Sequence, residues 1–152
     1  MKVTLNLNCT PFSINKMSFR DKRYKTPEAQ KWSKSIFIEL NSEENQSQLE
    51  LIRTVFDPKK HAYNIDMQFF YPPHILFTKA GLVSAKSHDL SNVEKPLIDL
   101  LFLPKYFDLK VPYGVKNLNV DDKYILNLSS SKRISNNHKI IITLSILELN
   151  NL

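Results

Sequence analysis

Glycine is nearly missing from this chain: there are two in 152 residues. That excludes a Walker phosphate loop, a dinucleotide-binding fingerprint and any Gly-rich or collagen-like segment. One cysteine, Cys9, excludes an internal disulfide framework and a cysteine-cluster zinc site. The four histidines, His61, His74, His88 and His138, form neither an HExxH motif nor an i,i+4 pair, which argues against a zinc hydrolase. No stretch approaches the roughly 18 consecutive apolar residues of a membrane span. Residues 1–8 alternate apolar with polar and do not form the apolar run of a secretory signal. The expectation is a protein of a reducing, intracellular compartment, with no membrane partner.

What is present is ordinary globular composition, 42% hydrophobic and 24% charged, which suits one domain over residues 1–152 with a core that needs no staple. Asn, Ile and Lys are heavily used, which reads as coding bias of an AT-rich genome. The formal net charge is +6, a bias towards polyanions such as nucleic acid. Surface lysine serving only solubility is the alternative.

Period-two alternation from Val3 to Cys9 predicts a half-buried strand, closed by Pro11. Residues 13–25 have no apolar period and carry Lys16, Arg20, Lys22, Arg23 and Lys25, so they read as a basic loop. Thr26-Pro27-Glu28 combines a capping hydroxyl, proline at the first helical position and an acid in the first turn. Trp32, Ile36, Phe37 and Leu40 then give one apolar helix face ending near Leu40. Residues 41–47 are polar and acidic and read as a loop; Leu49 to Phe56 fits a short helix or a strand equally. Tyr63, Ile65, Met67 and Phe69 mark a strand from His61 to Tyr71, ended by Pro72-Pro73. Residues 74–88 read as a loop.

A second helix is predicted from about Asn92 to Phe102, with Val93, Leu97, Leu100 and Leu101 buried. Pro96 is compatible with it only in the first turns. Ser91-x-x-Glu94 fits a capping box at its start. Residues 103–119 read as an insertion-like loop. Tyr124 to Leu128 reads as a strand with Tyr124, Leu126 and Leu128 on one side. The Ser135-Asn136-Asn137 turn joins it to a last strand from Lys139 to Leu149. The expected fold is α+β, in the order strand, helix, strand, helix, strand, strand.

The segment that carries chemistry is Ser87-His88-Asp89-Leu90-Ser91-Asn92-Val93-Glu94-Lys95-Pro96-Leu97-Ile98-Asp99. Asn92, Lys95 and Asp99 share a helix face opposite the leucines. Asp89 precedes the helix, where the positive end of the dipole favours an ionised carboxylate. Asp121-Asp122 stands at the start of a later strand; if that strand lies beside the helix, Asp89 and Asp122 converge. Converging carboxylates with a nearby lysine are what magnesium-dependent phosphodiester cleavage requires. Each feature also has a plain structural use: a helix cap, an i,i+4 salt bridge and a turn. The basic loop, with Phe19 and Tyr24 interleaved among its cations, suits phosphate contacts and equally a solvated surface.

Asp-Leu-Ser-Asn-x-x-Lys-x-x-x-Asp, followed by Asp-Asp before a strand, resembles the RusA family of Holliday junction resolvases. The family pattern is Asp-Leu-Asp-Asn-x-x-Lys, an aspartate four residues after the lysine, and a later Asp-Asp. Pro11-Phe12-Ser13-Ile14-Asn15 is similar to the family's proline-to-asparagine turn after the first strand. Arg23-Tyr24-Lys25-Thr26-Pro27-Glu28-Ala29-Gln30 is similar to the approach to its first helix. The resemblance covers most of the chain in the same order; the 103–119 loop is longer here. It implies that Asp89 and Asp122 bind metal and that Lys95 is catalytic. Ser91 stands where the pattern has a further metal-binding aspartate, which leaves Asp99, Asp121, Ser91 itself or a water as candidates for the remaining ligand. Asn15, Lys16, Arg20, Lys22, Arg23, Lys25 and Lys132 become candidate DNA contacts.

By the same resemblance, the expectation is a cytoplasmic homodimer of a bacterium or a phage-infected host cell. It would cut branched DNA, above all four-way junctions, with Mg²⁺ as cofactor and Mn²⁺ as substitute. Two nicks related by a two-fold axis ask for two copies. The alternative is a non-catalytic DNA-junction-binding protein of the same fold. A generic basic RNA-binding module fits less well, because unmetallated acids in a binding groove repel phosphate.

Overall fold

The computed structural model describes residues 1–13, 26–102 and 117–152. They form a small α+β unit of β1 (Lys2–Leu7), α1 (Pro27–Leu40), α2 (Glu43–Val55), β2 (His61–Tyr71), a one-turn α3 (Pro73–Leu76), α4 (Leu90–Leu101), β3 (Ile125–Ile134) and β4 (Lys139–Glu148). The sheet order is β1-β4-β2-β3; only the β2–β3 pair is parallel.

The period-two pattern works as expected because the helices cover one face of the sheet. Val3, Leu5 and Leu7 of β1, Tyr63, Ile65, Met67, Phe69 and Tyr71 of β2, and Ile140, Ile142 and Leu144 of β4 all face the core. Trp32, Ile36, Phe37 and Leu40 of α1 pack on them. Thr26 caps α1, its hydroxyl accepting from the Ala29 N–H, with Pro27 at the first helical position. On the other face Asn64, Asp66, Gln68 and Phe70 stay half-buried, since nothing described covers them.

Four expectations change. Residues 41–47 are not a loop: Ser42 caps α2, accepting from the Asn45 N–H, and Glu43 and Glu44 sit at the favourable end of its dipole. The helix takes in the undecided stretch up to Val55. Its buried side holds only Asn45, Leu49 and Ile52, too little apolar surface to show a clear period. Asn45 is buried for a reason: its amide accepts from the Asn6 N–H and donates to the Asn6 and Glu39 carbonyls. One side chain thereby pairs the Asn6 backbone at the end of β1, where the strand edge would otherwise expose unpaired groups.

The second change concerns β3. Tyr124 lies in a 3-10 turn, Asp122–Tyr124, and the strand runs on to Ile134. Leu126 and Leu128 are not core residues; they are 50% and 41% exposed. The third is the connection after it. β3 and β4 are not neighbours: β2 lies between them, and the 135–138 segment steps across its end, with the Ser135 N–H donating to the Tyr71 carbonyl. The fourth is α4, which begins at Leu90 with Asp89 as its cap, so Ser91 and Glu94 form no capping box. Pro96 therefore lies in the helix interior, and its missing N–H leaves the Asn92 carbonyl without an intrahelical partner. Burial of Pro96 with Val93, Leu97 and Leu100 against the core offsets that loss.

Removing the Asn45 amide tests this account of the β1 edge. Asn45→Ala removes the partner of the Asn6 N–H and carbonyl, leaves the Glu39 carbonyl with the Ser42 N–H alone, and should cost about 1 kcal/mol. Urea unfolding measures it; a change of a few tenths would mean the edge is satisfied without Asn45.

Candidate functional site

A parallel β2–β3 pair requires a crossover, and α4 is its helix. α4 therefore runs antiparallel to β3, and two sets of contacts fix its position. Near its start, Lys132 Nζ donates to Ser87 Oγ at 2.6 Å and the Ser130 hydroxyl to the Glu94 carboxylate. At its end, the Asn117 amide donates to the Leu100 carbonyl and the Leu118 N–H to the Leu101 carbonyl. The chain then passes Asp121 and Asp122 into β3.

Asp89 and Asp122 thus lie at opposite ends of the crossover. Seven strand residues separate Ile125 from Lys132, which is about 23 Å at roughly 3.3 Å each. The expected convergence of these carboxylates does not occur within one chain. Both are exposed. Among the described residues no group of three His, Cys, Asp or Glu side chains is placed to hold a metal ion.

Asp99 is also placed elsewhere. It is 4% exposed, tucked under α4, and accepts a 3.0 Å charged hydrogen bond from Lys95 Nζ. Ten residues along the helix from Asp89, it lies about 15 Å away by helical rise. The Asn92, Lys95 and Asp99 stripe is therefore not a solvated face opposite the core. Asp121 accepts from the Lys123 N–H at 2.9 Å and shapes the turn before β3. Ser91, on the first turn of α4, is exposed. Among the described residues, one chain does not bring together a fitting Mg²⁺ ligand set. Of the candidate DNA contacts, Asn15, Lys16, Arg20, Lys22, Arg23 and Lys25 lie outside the described residues.

The residues that do come together are Ser87 with Lys132 and His88 with Tyr71 and His138; Asp89, the cap of α4, follows His88 in the chain. The Tyr71 hydroxyl lies 3.5 Å from His88 Nδ1, and the rings of His88 and His138 meet the Tyr71 ring edge-on. Burial pushes the Tyr71 phenol up to about 12, so it stays protonated. His138 is held below its ordinary value of 6.5, first by burial and then by the charge of His74. Its Nδ1 is buried without a hydrogen-bond partner among the described residues. Sequence reasoning gave Lys132 only as a candidate DNA contact, through the resemblance, and missed Tyr71 and His138. Their meeting depends on the 135–138 segment stepping across the end of β2, which no spacing announces.

No protein-family model matches the chain, and no significant match is found among curated proteins. Among the described residues, no helix is long and apolar enough to cross a membrane.

The depressed His138 value carries a pH consequence. The folded state favours the neutral ring, so the unfolded chain takes up the proton first as pH falls below about 6.5. Stability should fall from there downward, and His138→Gln should lose less. Urea midpoints at about pH 7.5 and about pH 5.5 for both proteins decide it; equal losses would show that His138 is not responsible.

Proposed function

We propose that this chain is a RusA-like, Mg²⁺-dependent endodeoxyribonuclease that acts as a cytoplasmic homodimer on four-way DNA junctions, with Mn²⁺ as a substitute ion. The observation that supports the reading is the Lys132–Ser87 hydrogen bond, which brings Lys132 to the segment just before Asp89 at the start of α4. Two segments far apart in sequence are bridged by the 2.6 Å Lys132–Ser87 bond, with the exposed Asp89 two residues beyond Ser87. An anionic side chain at a helix N-terminus beside a lysine suits a phosphate-and-cation site. Lys132 binds phosphate as a point charge there. Lys95 is oriented by Asp99, and its ammonium adds positive charge along α4 where negative charge grows on a phosphate under attack. The net charge of +6 and the cations between residues 16 and 25 supply affinity for the junction arms.

The second reading, a non-catalytic junction-binding protein, draws on a specific observation: Asp89 and Asp122 stand at opposite ends of the crossover, and the described residues of one chain hold no complete ligand set. A synthetic four-way junction incubated with and without Mg²⁺ or Mn²⁺ separates the two. The nuclease reading expects paired nicks that need the ion. Asp89→Asn should lower cleavage at least roughly a hundredfold, because several kcal/mol of charge stabilisation at the phosphate is lost. Junction binding should hold or strengthen, since repulsion falls. Asp89 makes no side-chain capping bond, so the exchange should leave the fold intact. Tight binding with no cleavage at any ion concentration would establish the second reading instead.

A further inference from the structure

We infer that the turn from Phe77 to Val83, tipped by Leu82 and Val83, is a wedge that enters an opened base step at the branch point of DNA. The inference rests on the reading of this chain as a protein that acts on branched DNA, whether it cuts or only binds.

The turn lies on the path from the end of β2 to the start of α4. Its backbone is fixed. Phe77 and Val83 form an isolated antiparallel bridge. Within it the Thr78 N–H donates to the Leu82 carbonyl at 2.8 Å and the Gly81 N–H to the Thr78 carbonyl at 2.9 Å. The Leu82 N–H donates to the Thr78 hydroxyl at 3.2 Å. Gly81 takes a φ of 81°, which lets the chain double back there. Below the bridge the Ser84 N–H donates to the carbonyl of Leu76, a buried core residue. A turn tied down in this way could present polar side chains to water. This one presents Leu82 at 68% exposure and Val83 at 74%, with Phe77 at 37% across the bridge. Single apolar residues scattered over a surface need no explanation, but adjacent ones held out on a built turn mark a contact.

Charge says what the contact is. Residues 67–88 contain no Asp or Glu, and Lys79 and Lys86, both exposed, stand on either side of the tip. An aliphatic tip between two lysines suits DNA with a parted base step: the ammonium groups meet phosphates while the apolar side chain enters between bases. A branch point is where a step parts most easily, because continuous stacking is already interrupted there. The foot of the turn leads to the candidate site. The Ser87 N–H donates to the Ser84 carbonyl, and the Ser87 hydroxyl accepts from Lys132. Ser87 is five residues on from Leu82, so chain length keeps the two within about 18 Å. That span is about five base steps of a duplex strand. A tip seated at the branch point therefore sets the start of α4 over the arms that leave it.

A four-way junction with 2-aminopurine at the branch point reads unstacking as a rise in fluorescence. With Ca²⁺ in place of Mg²⁺, saturating wild-type protein should raise the signal on the junction and leave a plain duplex carrying the same base unchanged. Leu82→Ser/Val83→Ser, a change at two exposed side chains that keeps the turn's backbone bonds, should keep the wild-type urea midpoint, still bind the junction and lose the rise. Lys79→Ala/Lys86→Ala should keep the rise at saturation and flatten the salt dependence of binding by about 1.8, two phosphate contacts at about 0.9 each. Junction binding by wild type without a rise would overturn the wedge and leave the junction reading standing. A rise that the double serine variant keeps would also overturn it; loss by that variant of binding to phosphatidylserine vesicles would then assign the tip to a lipid surface. No junction binding by wild type would remove the junction reading and the wedge together.

Discussion

The parallel pairing of β2 with β3 is the constraint on which the rest of this structure depends. Parallel strands cannot be joined by a tight turn, so the chain must return across the sheet, and α4 is that return. Its direction then follows. The start of α4 must lie where β3 leaves and its end where β3 begins. Hydrogen bonds at both ends hold it there, Lys132 to Ser87 at one and Asn117 to Leu100 at the other. Everything that can be said about the candidate site is a consequence. Lys132 is brought to Ser87, two residues before Asp89, and Asp122 is carried to the far end.

Much of the framework was legible because burial on one face leaves a plain period. β1 alternates throughout and β2 from Tyr63 onward, and α1 has cap, proline, acid and apolar stripe all in agreement, the local consistency that a funnelled sequence shows. α2 was not legible because its inward side includes a buried asparagine whose task is to close a strand edge. β3 was not legible over its full length because an edge strand need not be apolar: Ser129, Ser130, Ser131 and Lys132 bond to polar partners on either face. That β2 separates β3 from β4 is a matter of strand order. A short polar turn between two strands ordinarily means a hairpin, and only the buried flanks of β2 on both sides say otherwise.

The site divides along the same line. Helix position follows from sequence, so Asp89 at a helix start and Lys95 four residues before Asp99 were readable. Depth does not follow from spacing. Asp99 shares a stripe with Lys95 yet points into the protein, because Pro96 and Ile98 on either side of the stripe are themselves buried. Tyr71, His88 and His138 come from three separate segments and meet only because the chain crosses the end of β2. The outcome is a cluster with one neutral, buried ring behind an exposed carboxylate and a lysine.

The proposed function requires a pair of chains, because two nicks across a four-way junction ask for two copies. Initial nicking rates on a four-way junction, followed in saturating Mg²⁺ as the protein is diluted through its dimer dissociation range, test it most directly. The account predicts a rate that falls with the square of protein concentration at the dilute end and becomes linear when the dimer is saturated. A rate that stays linear down to the lowest active concentration, or no nicking at any concentration, would contradict it.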